Sequence, residues 1–468
     1  MRKPMSSLLA VVATGALAIG ALSLLPESAS ATGSGLQGDF NGDGYRDLAM
    51  GSGGGAGRVT VIYGSAKGLP DGRRVTIHQN SPGVPGSNET GDEFGAALAV
   101  GDMDHDGYSD LVVGVPGERI GNGEFPQGDL VVLWGGSGGL TGGTSLPGGL
   151  QSGTPEGSAA RQVGTGDFNH DGRTDLAFTV NGALRVVLGP ITRAGGTGAV
   201  SMVSPVAEGT WIGEFTVGDF DGDGRSDVVY NEDAVPEMET DHGAYGLQYL
   251  HSTSSGLVAD GALPLPNPLY SRMSLAAGDI DHDGRADLAF TTSGGVSVYY
   301  GEAGSLGATR KPVTISEATP GVAGDNDAWD SFGAALAFGD VDGDTYADLL
   351  VGNPTERLGA DASIQNAGTI TLLHGSAQGI NTARTQTFNQ DSTGVPGHAE
   401  PGDRFGSRLQ LGDFNHDGRA DLAATASGEN GTGTVWAFPG TANNLTSTGS
   451  AYFGPPAGAT GFGAPLAD

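Results

Sequence analysis

Asp102-Met103-Asp104-His105-Asp106-Gly107-Tyr108-Ser109-Asp110-Leu111 is one of seven copies of a single pattern in this chain. The others are DFNGDGYRDL from Asp39, DFNHDGRTDL from Asp167, DFDGDGRSDV from Asp219, DIDHDGRADL from Asp279, DVDGDTYADL from Asp340 and DFNHDGRADL from Asp413. Their starts lie 63, 65, 52, 60, 61 and 73 residues apart, which excludes chance. Side-chain oxygens at positions 1, 3, 5 and 9, a main-chain carbonyl at 7 and a glycine at 6 are what a hard cation seeking six to eight oxygens requires. The pattern predicts a calcium loop in each repeat, and up to seven structural Ca²⁺ ions.

The expected ligands follow position by position. Position 1 is Asp39, Asp102, Asp167, Asp219, Asp279, Asp340 and Asp413. Position 3 is Asn41, Asp104, Asn169, Asp221, Asp281, Asp342 and Asn415, and position 5 is Asp43, Asp106, Asp171, Asp223, Asp283, Asp344 and Asp417. The carbonyls at position 7 belong to Tyr45, Tyr108, Arg173, Arg225, Arg285, Tyr346 and Arg419. Position 9 is Asp47, Asp110, Asp175, Asp227, Asp287, Asp348 and Asp421. Thr345 replaces the turn glycine in the sixth loop, where positive φ strains a β-branched residue. Asn41, Asn169 and Asn415 lower the ligand charge at position 3.

Short alternating apolar segments flank each loop, as in Ala96 to Val100 before and Leu111 to Val113 after, so each loop closes a β-hairpin. A third apolar run follows in every repeat and a weaker fourth in several, such as Val75 to Ile77 and Val313 to Ile315. Four strands per repeat and a period of 50 to 70 residues predict an all-β, seven-bladed β-propeller with a calcium loop in each blade. The chain has no Phe-Gly before its first loop, yet ends on Phe462-Gly463. The C-terminal segment is therefore expected to dock beside blade one and close the ring, with residues from Gly33 belonging to that blade's first strand.

Phe94-Gly95, the loop from Asp102, then Gly114-Val115-Pro116 resemble the FG-GAP repeat of integrin α propellers and of many secreted bacterial proteins. Phe332-Gly333 to Gly352-Asn353-Pro354 is similar, and Phe405-Gly406 keeps the first half. Repeats three to five keep the acidic loop and lose both ends. The resemblance implies a propeller with its calcium loops on one rim, and a part in adhesion.

Residues 1–31 read as a signal peptide, with Arg2 and Lys3, an apolar run from Leu8 to Leu25, and Ala29-Ser30-Ala31 as the cleavage site; residues 32–468 form the propeller. Thr14, Gly15, Gly20 and Ser23 interrupt the apolar run and argue against a retained anchor, so no transmembrane segment is expected after cleavage. The chain is thus expected to be secreted and extracellular. It has no cysteine, and bound calcium would supply the cross-links that disulfides supply elsewhere. A net charge of −32 argues against nucleic acid, and 25 of the 54 acidic residues are loop aspartates.

No catalytic group stands out. Gly135-Gly136-Ser137-Gly138-Gly139 has the spacing of a nucleophile elbow, but the same place reads YGSAKGL from Tyr63 and HGSAQGI from His374, a recurrent turn between third and fourth strands. His105, His170, His282 and His416 fill position 4 of their loops as spacers. The stronger lead is asymmetry. Long related loops from Asn80, Ala318 and Asn389 lead into blades two, six and seven, and PGERIG from Pro116 pairs with PTERLG from Pro354. These loops fall on the rim opposite the calcium loops, in a sector of blades six, seven, one and two. Glu118, Arg119, Trp329, Asp330, Glu356 and Arg357 are the candidate ligand-binding residues there, with Asp92 and Asp403, and loops on a rigid scaffold carry function. The bland alternative has Asp92, Asp330 and Asp403 capping loop amides. The expected function is binding or adhesion to an extracellular protein or carbohydrate. The rival is a secreted hydrolase or polysaccharide lyase using acidic residues of the loop rim.

Overall fold

A computed structural model describes residues 34–467 except 53, 122–124, 147–158, 204–209, 235–245, 255, 267–273, 294, 325–326, 328–329, 360 and 457–460. The signal-peptide segment lies outside them, as does Trp329.

The chain forms seven four-stranded antiparallel sheets. Blade two shows the plan with strands Ala97–Gly101, Asp110–Val115, Asp129–Trp134 and Thr141–Ser145. Its second and third strands are buried along their whole length because both faces of the sheet meet other blades. Seven apolar clusters account for the core, one between each pair of adjacent blades. Val61 and Tyr63 of blade one, for example, pack with Leu98, Val113 and Leu133 of blade two. The inner strands surround a cavity of about 490 Å³ lined by residues such as Leu98, Val163, Phe215, Leu336 and Leu411.

Blade one takes its inner strand from the C-terminus. Phe462–Leu466 pairs antiparallel with Leu48–Ser52, bringing Met50 opposite Leu466. Residues 34–38, expected to begin that blade, form a turn and no strand. Leu36 is their single apolar side chain and is only half-buried, whereas Phe462 is fully buried between blades seven and one.

The Phe-Gly and Gly-x-Pro signals have a common steric origin. Phe94, Phe405 and Phe462 are fully buried, and the glycines after them take φ of +90°, +83° and +80°. That backbone turns the carbonyl of Gly95 against Gly51 of blade one and the carbonyl of Gly406 against Gly352 of blade six, leaving no room for a Cβ at either position. Each motif is half of a contact between neighbouring blades.

In an antiparallel blade the connections alternate between rims. Six acidic loops join first to second strands and that of blade one leads into its second strand, while the second-to-third connections and the links between blades emerge on the opposite rim.

Candidate metal loops and the opposite rim

The seven acidic loops share one hydrogen-bond scheme. In each, the position 1 aspartate accepts the amides of positions 5 and 6, at 3.0–3.2 Å and 2.8–2.9 Å. The position 9 aspartate accepts the amide of position 2 at 2.8–3.2 Å. Its other oxygen accepts an amide at the end of the third strand, from Gly64, Gly135, Gly189, Ser252, Gly301, Gly375 or Gly440, at 2.6–2.9 Å. Position 9 thus ties the loop to the third strand. It is at most 4% exposed in every blade.

Positive φ is needed twice per loop. Position 6 runs from +77° to +90°, Thr345 included at +77°. Position 4 is also left-handed in all seven, occupied by Gly42, Gly222 and Gly343 or by His105, His170, His282 and His416 at +55° to +63°. The alternation of Gly and His there was the visible sign of this conformation, and the spacer role alone did not account for it.

The residues present fit a hard divalent cation. Side-chain oxygens of Asp102, Asp104 and Asp110, of Asp219, Asp221 and Asp227, and of Asp279, Asp281 and Asp287 lie within 4.8 Å of one another in each set. The Oδ1 atoms of Asp104, Asp281, Asp342 and Asn415, all at position 3, are buried with no hydrogen-bond partner. A buried carboxylate oxygen left without a donor is costly, and a cation at the loop centre removes that cost. Burial pushes the position 9 carboxyls up, to about 8 at Asp47, about 7 at Asp110, Asp287 and Asp421, and about 6 at Asp175 and Asp227. Neighbouring loop carboxylates add to the rise, and the backbone amides oppose it.

Three arginines, unnoticed in the sequence because they lie far from the loops along the chain, reach position 3 or 5. Arg193 bonds Asp104 at 2.6 Å and Asp106 at 2.7 Å, Arg310 bonds Asp281 at 3.1 Å, and Arg384 bonds Asp342 at 2.6 Å.

On the opposite rim, blades two, six and seven repeat a second arrangement. Asp92, Asp330 and Asp403 accept the amides of Glu89, Asp327 and Glu400 at 2.6, 2.8 and 2.7 Å. Gln79 donates to Glu118 at 2.5 Å, and Gln390 to Glu429 at 2.7 Å. In blade six Glu317 replaces the glutamine, and the Asn353 amide donates to both Glu317 and Glu356. The main-chain carbonyls of Glu118, Glu356 and Glu429 each accept an amide that starts the third strand, from Gly128, Gly368 and Gly433. Burial raises the carboxyls of Glu118, Glu429, Asp92 and Asp403 above their ordinary range. Glu356 is buried, Glu118, Asp330 and Arg357 are half-buried, and Arg119 is exposed. Glu429, Gln79, Gln390, Glu317 and Asn353 were missed. Aligning the residues two places after Ile77, Ile315 and Phe388 would have found the Gln, Glu, Gln series. Ile120, next to Arg119 in the chain, and Phe125 of the same connection, 41% and 46% exposed, were missed as well.

The FG-GAP repeat matches residues 31–62, 94–133, 271–306, 332–373 and 405–438, and an FG-GAP-like repeat matches 167–230, together more than half of the chain. The chain belongs to the FG-GAP repeat family. Among its relatives are the integrin alpha pat-2 of Caenorhabditis briggsae, 29% identical over 45% of this chain and 17% of the relative, and the integrin alpha-V of Gallus gallus, 31% identical over 39% and 16%. The phosphatidylinositol-glycan-specific phospholipase D of Mus musculus is 36% identical over 21% and 12%. The matches cover less than a fifth of the length of these curated relatives. Among solved structures, an Agrocybe aegerita lectin described as recognising non-reducing terminal N-acetylglucosamine aligns over 86% of this chain and 90% of its own, with a TM-score of 0.52 and 13% identity, a likeness of fold. Repeats three and four fall to the FG-GAP-like match, whereas repeat five, expected to have lost both ends of the motif, is matched as an FG-GAP repeat. No helix among the described residues is long and apolar enough to cross a membrane.

Proposed function

We propose that this FG-GAP propeller is a secreted, calcium-stabilised binding or adhesion module for an extracellular protein or carbohydrate. Calcium would be held by the side chains at positions 1, 3, 5 and 9 and the carbonyl at 7, and the positive charge would offset carboxylates that burial otherwise disfavours. The observation that carries the binding role is the rim sector of blades six, seven, one and two. There the loop backbones are braced three times by the same Asp caps and Gln-Glu or Asn-Glu hydrogen bonds, and the braced connection of blade two carries exposed Arg119, Ile120 and Phe125. An exposed arginine and two exposed apolar side chains on one connection have the composition of a recognition surface. Carboxylates already committed to loop hydrogen bonds weigh against the hydrolase or lyase reading.

The test is thermal unfolding in millimolar calcium against a panel of sugars, cell-wall fragments and extracellular proteins. A ligand at 100 times its dissociation constant adds about 2.7 kcal/mol. A raised midpoint that disappears in an Arg119→Ala, Ile120→Ser, Phe125→Ser variant supports this site. Turnover of a polysaccharide without such a shift would favour the enzyme.

A further inference from the structure

The loop of blade six differs from the other six in its donors. Beneath it lies His374, whose side chain is 1% exposed. Its Nδ1 stands 3.1 Å from Asp348 Oδ1 at position 9 and 3.6 Å from Asp342 Oδ2 at position 3. The equivalent residue, just before the one whose amide bonds position 9, is Tyr63, Trp134, Leu188, Tyr300 or Pro439 in five other blades. In blade four it is His251, whose Nδ1 pairs instead with Asp260 of the outer strand at 2.9 Å. Among the described residues, only in blade six does a histidine ring nitrogen pair with loop carboxylates.

Two further observations point to a ligand. The Nε2 atom of His374 lies 3.0 Å from Asn444 Oδ1, an acceptor. In the neutral ring with its hydrogen on Nε2, the lone pair of Nδ1 faces the carboxylates, and either a proton on Nδ1 or a bound cation meets them there. A metal-bound imidazole is held the same way, its second nitrogen donating to an oxygen. In addition, Asp342 Oδ1 is buried without a partner, on a side chain only 3% exposed, while Oδ2 is occupied by Arg384. Asp342, Asp348 and His374 each offer a donor atom, all within 4.8 Å of one another.

We propose that the loop of blade six is a mixed oxygen and nitrogen site for a divalent transition cation, such as Zn²⁺, Co²⁺ or Mn²⁺, with His374 Nδ1, Asp342 and Asp348 as its protein ligands. Calcium coordinates oxygen, whereas first-row transition ions accept imidazole readily. Blade six thus separates its metal choice from that of the all-oxygen loops. Thr345 at the turn of the same loop marks its departure from the calcium pattern.

The test titrates Co²⁺ into the full chain held in millimolar calcium, following visible absorption and, in parallel, Zn²⁺ by calorimetry. The expected result is one saturable equivalent that His374→Phe removes and that Asn444→Ala weakens about 10-fold. Aromatic Tyr63, Trp134 and Tyr300 occupy the equivalent place in blades one, two and five, and an unchanged melt in calcium would show that the variant folds. Should His374→Phe not fold, His374→Gln with the Asn444→Ala series carries the test. Absence of any saturable equivalent, showing that a protonated His374 alone fills the gap, would overturn the proposal. So would an equivalent that survives in the folded His374 variants.

Discussion

The amide of Ala420 donates to the carbonyl of Asp340 at 2.7 Å, joining the acidic loop of blade seven to that of blade six. Ser109 to Asp39, Ser226 to Asp167, Ala286 to Asp219 and Ala347 to Asp279 repeat the bond at four more junctions, at 2.8–3.1 Å. Ile191 to Met103 and Ser65 to Phe414 serve the remaining two, reaching position 2 of the preceding loop. Every blade is therefore hydrogen-bonded to the loop before it. Chelation should then weaken the ring as a unit: calorimetry in excess chelator is expected to show one transition at a lower midpoint, with each vacated site costing about 2.7 kcal/mol where calcium had stood at 100 times its dissociation constant. Stepwise loss of separate blades would contradict the coupling.

The position 9 carboxyls set the pH response of the calcium-free protein. Their folded values, about 6 at Asp175 and Asp227, about 7 at Asp110, Asp287 and Asp421 and about 8 at Asp47, lie above the ordinary aspartate value of 3.8. The folded state then holds protons that the unfolded chain has released, so stability falls as pH rises from about 4 to 8. Melting in chelator should be higher at pH 5.5 than at pH 8, and the gain from added calcium should be larger at pH 8. The opposite order in chelator would show that these carboxyls are not buried as described.

Gly352 tests the contact behind the Phe-Gly signal. Its missing Cβ would meet the carbonyl of Gly406, backbone that cannot swing aside, whereas a Cβ at Gly138 meets nothing within 4 Å. Gly352→Ala should cost about 1–3 kcal/mol or more, and Gly138→Ala close to nothing. Denaturant unfolding of both variants measures the difference, and equal stability would remove the steric account.

Thr345 sits at φ +77° where its six counterparts are glycine. Thr345→Gly should relieve about 1–3 kcal/mol of backbone strain, less the entropy that glycine adds to the unfolded chain. A raised midpoint in chelator, where no metal intervenes, checks this; a lowered one would show that the threonine makes a compensating contact.

The ring and its loops were legible because hard-cation ligation imposes residue types at fixed short spacing. Asp102 to Asp110 carries its own geometry whatever surrounds it. Ring closure was half visible: Phe462-Gly463 announced a blade start, but the turn at residues 34–38 was mistaken for strand because both termini flank the same blade. What escaped notice depends on contacts distant in sequence. Arg193 and Asp104 are 89 residues apart, and His374 and Asn444 are 70. Nothing local in either segment signals that folding brings them together. The rim braces were obscured by substitution, since Gln79 and Gln390 do the work that Glu317 and Asn353 share in blade six.

Equilibrium dialysis against calcium tests the central claim most directly, that these loops are metal sites which together hold the ring. The account predicts six calcium ions per chain, from blades one to five and seven, with any binding at blade six weaker. Six Asp→Asn variants at position 1 should each remove one ion. Two or fewer ions at millimolar calcium, or a count unchanged by those variants, would contradict it.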